Sequence, residues 1–298
     1  MPGSQDYAAD PRNANLLVYV SGALVPRSEA KVSVFDAGFV LGDGVWEGIC
    51  LHKGKLLFLG PHLDRLFAGA KAIALDIGQT REQITAALKQ TLDANQMQDG
   101  VHIRLMVTRG TKKTPNQDPR GIMGPPTVVI TAEYKQPSPE MAAKGLKLAA
   151  VSIRCSPRAI FDMRINSHSR LALIIALNEA IAKGADEALM LDPRGFVSSC
   201  NATNFFWVRN GEVRTSTGEF CLNGITRGHV IDLARKHGVP ISIGDFQLDD
   251  VPAADEAFVT GTFGGVTPVC EVDGHKLRVP GAVTQKLGAL YEQLKDAQ

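Results

Sequence analysis

No excess of charge marks this chain: 32 Lys and Arg stand against 31 Asp and Glu, a formal net charge of +1 spread along its length. A surface so balanced lacks the field that gathers nucleic acid or an anionic membrane, so the expected partner is a small molecule. Long apolar runs are missing too. Met1 to Asn15 is polar, without the apolar core of a signal peptide, and no later run is long enough to span a bilayer, which points to a cytoplasmic protein. The five cysteines (Cys50, Cys155, Cys200, Cys221, Cys270) are odd in number, widely spaced and outside any Cys-x-x-Cys or Cys/His pattern. Neither a disulfide framework nor a zinc site is indicated. Internal repeats and low-complexity tracts are also absent.

What is there suffices for a large core. With 298 residues, 44% of them hydrophobic, the chain reads as two ordinary domains. Residues 1–135 form the first and 146–298 the second, joined across 136–145, where Gln136-Pro137-Ser138-Pro139 stiffens a polar connection. Strands are expected at Leu16 to Val20 and Ala23 to Pro26 around Ser21-Gly22, and an alternating stretch at Lys31 to Phe35 precedes the glycine-rich Asp36 to Gly44. Helices are expected over Pro61 to Ile73, Arg81 to Asn95, Leu171 to Lys183, His229 to His237 and Val283 to Lys295. Lys112 to Pro126 is a loop long enough to be functional.

Val101 to Val107 is the most informative strand. Val101, Ile103, Leu105 and Val107 make one apolar face, so the face with His102, Arg104 and Met106 must meet solvent, a cavity or a partner. Arg109 adds a second guanidinium, and paired arginines suit a carboxylate, although an ordinary exposed strand face is the plainer reading. Ile225 and Thr226 place backbone amides at a helix start, which favours an anion, and Arg65 near another helix start is either a solvated charge or an anion ligand. The polar run Met163 to Leu171 stands between two apolar elements. It reads as a helix cap made by Ser167 or Ser169, or as a site of chemistry.

In order along the chain, Asp43-Gly44-Val45-Trp46-Glu47-Gly48, His62-Leu63-Asp64-Arg65-Leu66, Gly184-Ala185-Asp186-Glu187-Ala188, Gly224-Ile225-Thr226-Arg227, and Thr260-Gly261-Thr262 with Thr267-Pro268-Val269 together resemble the class IV aminotransferases. These are the pyridoxal-phosphate family of branched-chain and D-amino acid aminotransferases and aminodeoxychorismate lyase. The resemblance covers nearly the whole chain. It implies a two-domain α/β (α+β) fold with the cofactor site between domains, a homodimer, and an amino acid or keto acid as substrate. It further implies pyridoxal 5'-phosphate or pyridoxamine phosphate held by Arg65, Ser199, Ile225, Thr226, Thr262 and Phe263, with Trp46, His102, Arg104 and Arg109 facing the substrate.

The family's Schiff-base lysine corresponds to Asn166, and no neighbouring lysine replaces it. An amide can neither form an imine nor shuttle the substrate proton, so the cofactor is expected to be non-covalent. Ser199 stands where the family has a Glu opposite the pyridine nitrogen, which weakens the ring as an electron sink. Three functions remain open: a transaminase-like enzyme in which His168 substitutes as base, a non-catalytic binder of cofactor or carboxylate, and a lyase of the same family.

Overall fold

The computed structural model describes residues 3, 5–137 and 139–298, the side chains of Glu140, Met141 and Ala142 excepted. Ser138, part of the expected linker, lies outside the described residues. The chain divides into two compact units. One comprises Ala9–Gln136 with Ile165–Arg170; the other comprises Pro137–Arg164 with Leu171–Gln298 and the N-terminal residues up to Ala8.

The first unit contains β1 (Leu17–Val20), β2 (Ala23–Pro26), α1 (Ala37–Leu41), β3 (Gly44–His52), β4 (Lys55–Leu56), α2 (Leu59–Ala72), α3 (Arg81–Ala94), β5 (Val101–Thr108) and β6 (Thr127–Tyr134). Its six strands run in the order β2-β1-β6-β5-β3-β4. The alternation read in β5 is realised: Val101, Ile103, Leu105 and Val107 are buried, with Leu63 and Leu66 of α2 and Ile84 and Leu88 of α3 in the same core. Burying each such side chain contributes roughly 1.5–3 kcal/mol, which fixes the register of β5 and leaves His102 and Arg104 on the opposite face. Lys31 to Phe35 forms no strand, and Val32, Val34 and Phe35 are exposed. Alternation supplied a pattern there but no hydrogen-bonding neighbour. Asp36 then starts α1, its Oδ1 accepting from Gly38 N–H at 2.8 Å. The loop after β5 folds back on itself, with the buried Lys112 donating through Nζ to the Asp118 carbonyl at 2.9 Å.

The second unit contains α4 (Pro139–Lys144), β7 (Leu146–Arg154), α5 (Leu171–Ala182), β8 (Glu187–Leu191), β9 (Val197–Cys200), β10 (Asn204–Arg209), β11 (Glu212–Ser216), α6 (Ile225–Lys236), β12 (Ile241–Gly244), β13 (Glu256–Gly261), β14 (Gly265–Val272), β15 (His275–Lys276) and α7 (Ala282–Asp296). Its nine-stranded sheet runs β12-β11-β10-β13-β14-β7-β8-β9, with β15 beside β14. Asn210 and Gly211 take positive φ between β10 and β11, the conformation a two-residue hairpin needs. Helix α6 begins at Ile225, four residues before the expected start at His229. Gly228 is accommodated inside the helix, and Gly224, extended at φ −62° and ψ 141°, is its N-cap. Ser167 Oγ accepts locally from Ser169 N–H, whereas Ser169 Oγ donates to the Gly42 carbonyl, distant in the chain. Among the described residues no helix is long and apolar enough to cross a membrane, and the five cysteines form no disulfide.

Candidate functional site

In the first unit a carboxylate organises the start of α2. Glu47 on β3 is fully buried; Arg65 donates to it from Nε at 2.8 Å and Nη2 at 2.7 Å, and His62 Nδ1 lies 2.7 Å away. Burial opposes charge on Glu47, but its hydrogen bonds to the Arg65 guanidinium and the His62 ring outweigh that and hold the carboxyl below its ordinary range. Arg65, an expected phosphate ligand, is therefore oriented by a buried ion pair. Glu47 and His62 escaped attention in the sequence, though a lone acid among the apolar residues of β3 was a signal that something must compensate it.

The segment holding Asn166 pairs with the start of β3. Trp46 N–H donates to the Asn166 carbonyl at 2.9 Å, His168 N–H donates to the Gly44 carbonyl at 2.9 Å, and Trp46 Nε1 donates to the Ser167 carbonyl at 3.0 Å. Gly44 permits this approach: a Cβ there would lie 2.5 Å from the Val107 carbonyl oxygen and 2.6 Å from His168 Cδ2. The Asn166 side chain, 3% exposed, is engaged at both ends. Its Nδ2 donates to the Trp46 carbonyl at 2.6 Å, and its Oδ1 accepts from Arg170 Nη2.

Around this pairing the structure brings together several residues named from sequence. The Arg104 guanidinium lies over the Trp46 ring at 3.6 Å and that of Arg170 lies 5.4 Å from it. Burial and the nearby charges of Lys135, Arg104 and His62 push His102 down to about 3. His168 is also lowered, first by burial and then by Arg104 and Arg170 against a bond to the Val45 backbone; its Nε2 is buried with no partner among the described residues. It is a neutral imidazole with one open nitrogen. Arg109 is engaged elsewhere, by Asp43 at 2.6 and 3.0 Å and by the carbonyls of Ile73 and Ala74 that follow α2 at 2.8 and 2.7 Å. A carboxylate ligand there would have to compete with Asp43.

In the second unit a buried network joins Ser199 to the start of α6. Ser199 Oγ donates to the Thr203 carbonyl at 2.8 Å and accepts from Asn204 Nδ2 at 3.1 Å. Asn204 also donates to the Leu222 carbonyl at 2.9 Å and accepts from Gly224 N–H at 3.2 Å, tying Ser199 to the start of α6. No side chain caps the first turn of α6, which includes Ile225 and Thr226. Thr226 is buried, its hydroxyl 3.2 Å from Tyr291 Oη. Thr262 and Phe263 form the turn between β13 and β14.

Thr203 Oγ1 donates to Glu187 at 2.7 Å. Burial, against that bond, pushes the Glu187 carboxyl up to about 7, with Asp186 adding to the rise. The unfolded chain loses this proton near the ordinary carboxylate value and the folded chain only near 7, so the contribution to stability is full in acid and declines as pH climbs between them. Glu187→Gln keeps an acceptor for Thr203. The unfolding midpoint of this variant relative to wild type is expected to move in its favour from pH 5 to pH 8 in differential scanning fluorimetry; an unchanged gap would mean that Glu187 is already ionised in the folded state.

Residues 44–272 match the family model of amino-transferase class IV. A branched-chain-amino-acid aminotransferase-like protein 2 of Arabidopsis thaliana is 40% identical over 288 residues, covering 96% of this chain and 51% of that protein. The chain thus spans about half the length of the Arabidopsis relatives it matches. The branched-chain-amino-acid aminotransferase of Pseudomonas aeruginosa is 33% identical over 288 residues, covering 93% of this chain and 92% of its own. Among solved structures, the branched-chain aminotransferase of the thermophilic archaeon Thermoproteus uzoniensis with norvaline superposes with a TM-score of 0.86 at 33% identity, covering 94% of each chain. With its family motifs in order and its two-unit α/β fold, this chain belongs to the class IV aminotransferases.

Proposed function

We propose that the protein binds pyridoxal 5'-phosphate or pyridoxamine phosphate without a covalent bond, together with an amino acid or keto acid, as a homodimer in the cytoplasm. The uncapped first turn of the twelve-residue α6 suits the phosphate, its N–H groups at Ile225 and Thr226 lying at the positive end of the helix dipole. Arg65, oriented by Glu47, and the turn residues Thr262 and Phe263 complete the expected holders. Ser199, which the resemblance places opposite the ring nitrogen, is a neutral hydroxyl and lacks the negative charge by which a carboxylate keeps that nitrogen protonated. When bound, the cofactor would supply an aldehyde carbon that accepts the amino group and an electron-withdrawing ring.

The observation that carries this reading is that Asn166, the residue the resemblance aligns with the family's lysine, is a buried amide engaged by the Trp46 carbonyl and Arg170. Trp46, His102 and Arg104 are the substrate-facing candidates, with Arg109 held back by Asp43. The exposed apolar residues of α5, Leu171, Ile174, Ile175 and Ile181, support self-association. The relatives named as branched-chain aminotransferases support an amino acid or keto acid ligand. One observation favours a second reading, in which weak amino transfer persists: the neutral His168 ring with its unpartnered Nε2 can accept a proton from a substrate carbon.

Native mass spectrometry after incubation with pyridoxal phosphate tests the proposal. The expected result is a dimer carrying one cofactor per subunit, with all cofactor mass lost on denaturation even after borohydride. Cofactor that survives denaturation, or a protein that takes up none, would overturn it.

A further inference from the structure

In the first unit the buried Glu47 is ion-paired with Arg65 and acts on Arg104 and Arg170 only through space. Glu47 answers Arg65 through a two-point ion pair. Among the described residues, no carboxylate pairs with Arg104 or Arg170. Arg104 has the Trp46 ring beneath it at 3.6 Å and no hydrogen-bond acceptor. Arg170 is held by Asn166 Oδ1, while its Nε is buried with no partner. Both residues are partly buried, and taking guanidinium groups out of water without a hydrogen-bonded counter-charge is costly; the more distant Glu47 offsets part of this, and burial outweighs it for both. A buried N–H donor left unmet is costly as well. The arrangement is also geometrically prepared. Arg104 and Arg170 approach one aromatic ring, and Gly48, opposite Arg104 in the β3–β5 pairing, keeps the face open, since a Cβ there would lie 3.1 Å from His102 Nε2 and 3.7 Å from Trp46 Cζ3.

We propose that Arg170 joins Arg104, whose substrate-facing role the family resemblance already implies, in a two-guanidinium clamp for a ligand carboxylate beside Trp46, and that Asn166 is the positioning residue that holds Arg170 in it. The clamp deepens the functional reading above and rests on it for the class of ligand, a carboxylate-bearing amino or keto acid. Asn166 then has a role of its own. Its Nδ2 is anchored to the β3 backbone, which fixes its Oδ1, and that oxygen fixes the guanidinium. An anion would offset the positive charge gathered around Arg170, whose own value is pushed down to about 10, first by burial and then by Arg104 and Arg65. At neutral pH Arg170 stays charged and able to donate. Bidentate guanidinium–carboxylate geometry supplies direction as well as charge.

The test is isothermal titration calorimetry of glutarate and its neutral isostere glutaramide into the protein supplied with pyridoxal phosphate, with cofactor binding followed by absorbance on the same samples. Wild type is expected to prefer glutarate. Arg104→Gln and Arg170→Gln are each expected to weaken glutarate about tenfold, the order of a lost charged hydrogen bond, and to leave glutaramide nearly unchanged. Asn166→Asp, which keeps an acceptor for Arg170 and neutralises its charge, is expected to collapse the same preference. A general structural defect would lower both ligands together, so the ratio separates it from loss of the clamp. Arg170→Lys, retaining charge without the fork, is expected to fall between wild type and Arg170→Gln. A glutarate preference that persists in Arg170→Gln, or in Asn166→Asp, overturns the clamp or the positioning role respectively; absence of any preference in wild type overturns both. Loss of cofactor absorbance with the glutarate preference intact would instead count against the cofactor reading alone.

Discussion

Asn166→Lys is expected to convert the protein from one that releases all its pyridoxal phosphate on denaturation to one that retains about one cofactor per chain after borohydride. The argument rests on what surrounds position 166. Its backbone is fixed by pairing with Trp46 on β3, so a longer side chain there starts from an ordered origin. Its neighbour Arg170, with Arg104 close by, brings positive charge to any ammonium at that position. Nearby like charge and burial both favour a neutral amine, so the introduced lysine should react near neutral pH. In the double variant Asn166→Lys with Arg170→Gln, one of those charges is gone. The pH at which labelling reaches half its maximum should therefore rise. Intact mass after borohydride across a pH series reads both effects. If Asn166→Lys binds cofactor but retains none covalently, residue 166 does not face the cofactor, and the carry-over of the family's lysine position to this segment fails.

Glu47→Gln is expected to destabilise the protein by about 3–5 kcal/mol, the range for removing one partner of a buried ion pair. Glu47 is fully buried, and it receives both Arg65 and His62. The amide keeps the shape but leaves the Arg65 guanidinium without its counter-charge. The pH dependence has a definite sign. A carboxyl held below its ordinary range contributes stability that is present above the unfolded value and is lost as pH falls through the folded one. The gap between wild type and Glu47→Gln should accordingly be full near pH 7 and shrink in strong acid. Urea denaturation at several pH values measures it, and a gap that is small at pH 7, or that widens in acid, would contradict the buried pair as the organiser of this region. Cofactor uptake should fall in the same variant, because Arg65 loses the group that orients it.

Much of this was legible from the chain. The β5 alternation foretold which face of the sheet would be apolar, because the two-residue period of a strand and the gain from burial leave one register. Asn210-Gly211 foretold a hairpin, since few residues accept the left-handed backbone that its turn requires. The family motifs foretold the fold. Other features were not readable. Lys31 to Phe35 alternates like a strand but finds no neighbouring strand, and local pattern carries no information about that. The start of α6 was misplaced because a glycine at position 228 reads as a break, whereas packing and an N-cap at Gly224 carry the helix through it.

By itself the sequence determined that a member of the class IV aminotransferase family was encoded, with an asparagine at position 166. Only the tertiary structure decided what the amide does. The segment Ile165–Arg170 packs with the first unit, pairing across some 120 positions of sequence with Trp46. This contact makes Asn166 a hydrogen-bonded partner of Arg170. The physical reason is that ionic and hydrogen-bonding partners act through space over a few ångströms. Which charges meet, as Glu47 meets Arg65 and as Arg104 meets Trp46, is set by strand register and helix packing that no local stretch of residues contains.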